Sequence, residues 1–142
     1  MSDAASNRPP MGDVRSGTAE PSTVTTRSLT LSEYQQAASR TVNRSLTTGE
    51  RLVDAAAGLA EEAGEVLGVV RKHMFMHHEL DRARLVTELG DALWCLTGVA
   101  AAVGVSLDEV AAANLEKLRR RYPDGYSDSA SARRRDTTPD AR

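Results

Sequence analysis

LAEEAGEVLG, residues 59–68, decides the fold. Leu59, Ala63, Val66 and Val70 recur on a 3.6-residue period, which predicts an amphipathic helix. Glu62 and Glu65 border that stripe, three residues apart and so on one helix face. Gly64 and Gly68 thin the same helix, each at about 1 kcal/mol relative to alanine. A second segment, ELGD at 88–91, repeats the form of EAGE at 62–65, with two acids three apart and a glycine just before the second. It too borders an apolar stripe, made by Leu85, Leu89, Leu93 and Leu96.

Helix boundaries are legible around both segments. Thr30–Glu33, Thr47–Glu50 and Ser106–Glu109 fit the S/T-x-x-E capping box. The first predicts a helix with Leu31, Tyr34, Ala38 and Val42 on one face, and the second a long helix from about Glu50 to about His73. Asp81 can cap a helix that runs to about Val103 and closes at Gly104. The third box opens LDEVAAANLEKLRRRY, stopped by Pro123 and Gly125. No alternating β-branched run lies between turn signals, so strands are not expected. The expected fold is all-α and four-helix bundle-like, with an antiparallel helical hairpin carrying the two paired acidic motifs.

Each acidic pair lies about 13 residues from the junction of Met76 and His77, in the predicted turn HMFMHHEL. At 1.5 Å per residue both pairs stand ~20 Å from that turn. An antiparallel hairpin therefore brings Glu62, Glu65, Glu88 and Asp91 to one height, and Gly64 and Gly90 leave room for the partner helix or a ligand. Four convergent carboxylates repel: two unit charges ~4 Å apart cost about 4 kcal/mol at an effective dielectric of 20. They must take up protons, pair with cations or bind a metal. Arg71, Lys72, Arg82 and Arg84 are close enough in sequence to pair with them. An all-oxygen ligand set suits Mg²⁺ or Mn²⁺ rather than zinc, and Mg²⁺ held by carboxylates commonly serves phosphate substrates. Arg71, Lys72, Lys117, Arg120 and Arg121 could meet such phosphates, and Asn114 and Lys117 share a helix face.

The 142 residues suffice for one domain, and a net charge of −2 gives no global field for nucleic acid or an acidic membrane. The one cysteine, Cys95, excludes an internal disulfide. No stretch approaches the ~18 consecutive apolar residues of a membrane helix. Residues 1–28 hold no apolar run of the secretory kind, so the expected location is the cytoplasm. Residues 1–28 and 127–142 read as disordered tails, and Arg133–Arg135 as solvated tail charge rather than a nucleic-acid patch, since no aromatic residue interleaves with them. The folded domain is then 29–126, small enough that self-association is expected.

Four segments in this order carry a family resemblance. EEAGE…ELGDALW resembles the ExxE…ExxD signature of MazG-like nucleoside triphosphate pyrophosphohydrolases, and NLEKLRRRYPDGY resembles that family's NxxKLxxRYPxGF ending. LTLSEYQQAASRT is similar to the opening helix of its small members, and KHMFMHHELD to their inter-helix turn. The resemblance implies an all-α fold, homodimers or homotetramers, and Mg²⁺-dependent cleavage of (d)NTPs between the α and β phosphates to a monophosphate and pyrophosphate, with Mn²⁺ able to substitute. Nucleotide-pool house-cleaning is the role this implies. By position Glu62, Glu65, Glu88 and Asp91 are the implied metal ligands, with Glu62 or Glu65 also orienting or deprotonating the attacking water. Lys72, Asn114, Lys117 and Arg121 match substrate-contacting positions, and Tyr122 is a candidate for lining a base pocket. Two positions depart from the pattern. Glu61 stands where small members often have glycine, and Met76–His78 replace a turn that usually contains one.

Three other readings compete. A phosphoribosyl-ATP pyrophosphohydrolase would use similar acids, but RRRYPDGY favours the MazG-like branch. A non-catalytic helical interaction module would spend its acids on surface salt bridges. His73, His77 and His78 have spacing that could hold a transition metal if the helix reached that far, but a turn is expected there. Trp94 is expected in the core or an interface, and as an aromatic near the acids it could also stack on a base.

Overall fold

The computed structural model describes residues 28–133. Its elements are α1 (Leu31–Ala38), a single 3₁₀ turn (Ser39–Thr41), α2 (Thr48–Met76), α3 (Arg82–Ala102), α4 (Leu107–Arg121) and a short α5 (Asp128–Arg133). The fold is all-α, as expected. The four long helices match the four read from the sequence. The fifth lies in the stretch expected to be a C-terminal tail; the rest of both tails, 1–27 and 134–142, falls outside the described residues. Helix α1 is also shorter than expected. The 3₁₀ turn follows Ala38 and the chain is extended at Val42.

The caps explain where the helices begin. Thr30, Thr47 and Ser106 each accept a bond from the backbone N–H three residues on, and Glu33, Glu50 and Glu109 reach back to the cap N–H groups. Each box satisfies two donors that a helix start otherwise leaves orphaned. Asp81 caps α3 by accepting from the Arg84 N–H at 2.9 Å. Helix α2 ends at His77, whose φ of 57° and ψ of 26° lie in the left-handed region. Glycine ordinarily holds this position, so the histidine bears the steric cost of its Cβ. His77→Gly is expected to stabilise the chain by about 0.5–1 kcal/mol, the relieved strain exceeding the added unfolded-state entropy, and urea unfolding would measure it.

Helices α2 and α3 form the antiparallel hairpin and pack more extensively than any other pair. Small residues allow this. A Cβ on Gly58 would fall 2.9 Å from Cys95 Sγ, and one on Gly98 would fall 2.9 Å from Ala55 Cβ. The pairs 55 with 98, 58 with 95, 62 with 91 and 65 with 88 all centre between residues 76 and 77, so the hairpin has the register read from the sequence. The glycines responsible differ from those expected. Gly64 and Gly90 have nothing within 4 Å of an added Cβ, so they do not bring the helices together.

Helices α1 and α4 meet beside the hairpin. Gln35 donates to the Val105 carbonyl at 3.2 Å and accepts from the Leu107 N–H at 2.9 Å, while the Ser32 hydroxyl donates to Asp108. Among the described residues the buried set is modest: Ala55, Val69, Cys95, Thr97, Ala100, Leu107 and Ala130. Larger apolar side chains remain at the surface, among them Phe75 at 77% exposed, Val53 at 70% and Val86 at 69%. Helix α3 has the length and a mean hydropathy of 1.3 that a bilayer crossing needs. Its mid-helix Glu88 and Asp91 oppose that use, since carboxylates are costly at membrane depth.

Candidate active site

The two acidic motifs meet across the hairpin. One carboxylate oxygen each from Glu62, Glu88 and Asp91 lies within 4.8 Å of the other two. The fourth acid, Glu65, is held differently. Arg84 Nη2 donates to Glu65 Oε2 at 2.8 Å, and Arg84 Nε donates to Glu88 Oε1 at 2.9 Å. Of the four basic residues that the sequence offered as partners, Arg84 is the one that bridges the motifs. Glu88 is the most enclosed of the three groups in this network, with 13% of its side chain exposed against about half of Arg84 and Glu65.

Loss of water and then like charge both disfavour ionisation around the site. The Glu62 carboxyl is pushed above the ordinary glutamate range, first by partial loss of water and then by Asp91, Glu88, Glu61 and Glu65. Tyr34 on α1 and Cys95 on α3 are also raised, each mainly by burial, with Asp91 adding to both and Glu62 to Cys95. Tyr34 thus lies within the electrostatic reach of Asp91, although in the sequence it stood out only as part of an apolar stripe. Glu61 is exposed.

Two hollows flank the acids. A groove of about 530 Å³ begins one helical turn beyond Asp91, lined by Thr41, Asn43, Arg51, Asp54, Trp94 and Gly98 among others. The Trp94 indole N–H donates to Thr41 Oγ1 at 2.8 Å, which ties the 3₁₀ turn to α3 within the lining of this groove. Toward the hairpin turn, Lys72 and Arg84 line a smaller pocket of about 210 Å³ with Val69, His78, Glu79 and Asp81. Lys72 is thereby brought beside the acidic network. Asn114, Lys117 and Arg121 sit on α4 and Tyr122 caps its C-terminal end; the helix is anchored through its N-terminal end. Arg121 stacks over the Tyr122 ring at 5.8 Å, and Tyr122 meets Tyr126 at 5.6 Å.

The donor set suits a hard divalent cation, because three carboxylates supply oxygen only. The histidines do not form a rival centre among the described residues. His73 Nδ1 lies 2.9 Å from the His78 carbonyl oxygen, and His77 closes the helix.

The sequence matches the family model of the MazG nucleotide pyrophosphohydrolase domain over residues 52–126, more than half of the chain. That span runs from the first turns of α2 to Tyr126, so it takes in both acidic motifs and α4 but not α1. No curated protein and no solved structure matches. With both acidic motifs paired across an all-α hairpin inside the matched span, the chain belongs to the MazG nucleotide pyrophosphohydrolase domain family.

Proposed function

We propose that this protein is a divalent-metal-dependent pyrophosphohydrolase of (d)NTPs, adding water across the α–β anhydride to release a nucleoside monophosphate and pyrophosphate. The convergence of Glu62, Glu88 and Asp91 to within 4.8 Å is the observation that carries this reading. Glu62, Glu65, Glu88 and Asp91 would hold Mg²⁺, or Mn²⁺ in its place. Such an ion supplies neutralisation of the triphosphate and polarisation of its P–O bonds.

The remaining work falls to the chain's own groups. Glu62, whose carboxyl is raised first by partial loss of water and then by its acidic neighbours, is the first candidate to hold and deprotonate the attacking water, and Glu65 is the second. Lys72, which lines the pocket toward the turn, would meet the phosphates from there. The groove beside Trp94 offers an aromatic face, an amide at Asn43 and opposite charges at Arg51 and Asp54, a mixture suited to a nucleoside. Asn114, Lys117, Arg121 and Tyr122 complete the proposed substrate contacts. The exposed Phe75, Val53 and Val86 support a homodimer or homotetramer, because so small a core leaves apolar surface for a second copy to cover.

Product analysis tests the proposal. The protein would be incubated with Mg²⁺ and a panel of ribo-, deoxy- and oxidised triphosphates, beside a Glu65→Ala variant and an EDTA control. Monophosphate plus pyrophosphate, lost in both controls, is the expected result. No turnover on any triphosphate, with the folded variant indistinguishable from the parent, would instead favour a non-catalytic helical module.

A further inference from the structure

Arg84 occupies an unusual position among these acids. Its guanidinium joins Glu65 on α2 to Glu88 on α3, at 2.8 and 2.9 Å. The same residue supplies the backbone N–H that Asp81 caps, so its main chain is fixed in the first turn of α3. On its other side it lines the 210 Å³ pocket with Lys72. Glu65 stays outside the group of three convergent carboxylates. It is paired instead with this arginine.

We propose that Arg84 is an exchangeable resident cation, which holds Glu65 back from the other three carboxylates until a divalent ion takes Glu65 and frees the guanidinium for substrate phosphate. The inference rests on the reading of Glu65 as a metal ligand. Three observations support it. Both partners of the Glu65 arm are half exposed, and such pairs are weak enough in water to be broken by a doubly charged competitor. The Glu88 arm is more enclosed, so it is the second to open. The pocket shared with Lys72 gives the freed fork somewhere to go, and a guanidinium matches phosphate oxygens bidentately. Arginine keeps its charge at any working pH, so the exchange is driven by a competing cation and not by protonation. Metal and phosphate then favour each other beyond their direct contact, since each removes an obstacle to the other.

The test is a Mn²⁺ titration of the full chain without nucleotide, read by the loss of the free-ion electron paramagnetic resonance signal. Wild type, Arg84→Gln and Arg84→Lys would be compared after circular dichroism has shown equal helix content. Arg84→Gln is expected to bind Mn²⁺ about fivefold more tightly, the equivalent of ~1 kcal/mol. Arg84→Lys retains the charge but not the two-pronged reach, and it is expected to fall between wild type and Arg84→Gln. With Mn²⁺ present, inorganic pyrophosphate should bind Arg84→Gln more weakly than wild type. A lysine variant equal to wild type would reduce the effect to simple charge and overturn the exchange. An Arg84→Gln variant that binds Mn²⁺ no more tightly would also overturn it. If wild type and both variants all fail to bind Mn²⁺, the metal-dependent reading itself fails, an outcome distinct from the other two.

Discussion

Glu62→Gln is expected to lower pyrophosphohydrolase turnover by about 10²–10⁴-fold, the range seen when a positioned general base is removed. The change is nearly isosteric, so the hairpin should persist. The loss then reports on charge and proton transfer. Its effect on stability runs the other way. The folded-state pKa of Glu62 lies above the ordinary value of 4.5, raised by partial desolvation and by Asp91, Glu88, Glu61 and Glu65. A carboxyl that binds its proton more tightly when folded adds stability below about pH 4.5, and that contribution is lost as pH rises through the elevated value. Metal-free wild type should therefore lose this contribution between acid and neutral pH, while Glu62→Gln should not. Urea unfolding in EDTA at both pH values measures the difference. A variant that unfolds more readily than wild type at neutral pH without metal would contradict the crowding argument, and full turnover by a folded Glu62→Gln would remove Glu62 from the chemistry.

Gly98→Ala is expected to destabilise the chain by about 1–2 kcal/mol, even though alanine is the better helix former by ~1 kcal/mol. The new methyl would sit 2.9 Å from Ala55 Cβ, which is bound directly to the α2 backbone and cannot swing aside. Relief would require the helices to part, and the carboxylates are set by that spacing. Gly64→Ala and Gly90→Ala make the comparison. Neither added methyl meets anything within 4 Å, so each should gain up to ~1 kcal/mol in metal-free thermal unfolding. If all three variants moved stability in the same direction, the close packing at Gly98 would not be what limits the approach of α2 and α3.

The register of the hairpin was legible in the sequence because it needs only counting. Two acidic pairs equidistant from one turn must level with each other if the helices are antiparallel, and Glu62 with Asp91 and Glu65 with Glu88 do. The caps were legible because Thr30, Thr47 and Ser106 each bond within four residues of themselves. What escaped was lateral. Which glycines lie in the interface depends on the rotation of each helix about its axis, and EAGE and ELGD looked like the obvious pair while Gly58 and Gly98 carried the contact. Tyr34 feels the charge of Asp91 from another helix, and no spacing along the chain encodes that influence. Arg84 was one of four basic residues of equal claim until the structure showed which one spans both motifs. His77 stood out as a departure from a glycine turn, and the backbone takes the left-handed shape there despite the side chain.

The bond between Trp94 and Thr41 also makes the chain its own optical instrument. Trp94 is the single tryptophan among the 142 residues, so all indole emission arises from one place. That place is the lining of the groove proposed for the nucleoside, with the indole N–H held 2.8 Å from a threonine hydroxyl. A base that stacks there would quench the emission, and one that breaks the bond to Thr41 would shift its wavelength. Nucleotides could thus be ranked by unlabelled fluorescence titration in EDTA, with hydrolysis switched off, separating recognition of the base from the chemistry at the phosphates.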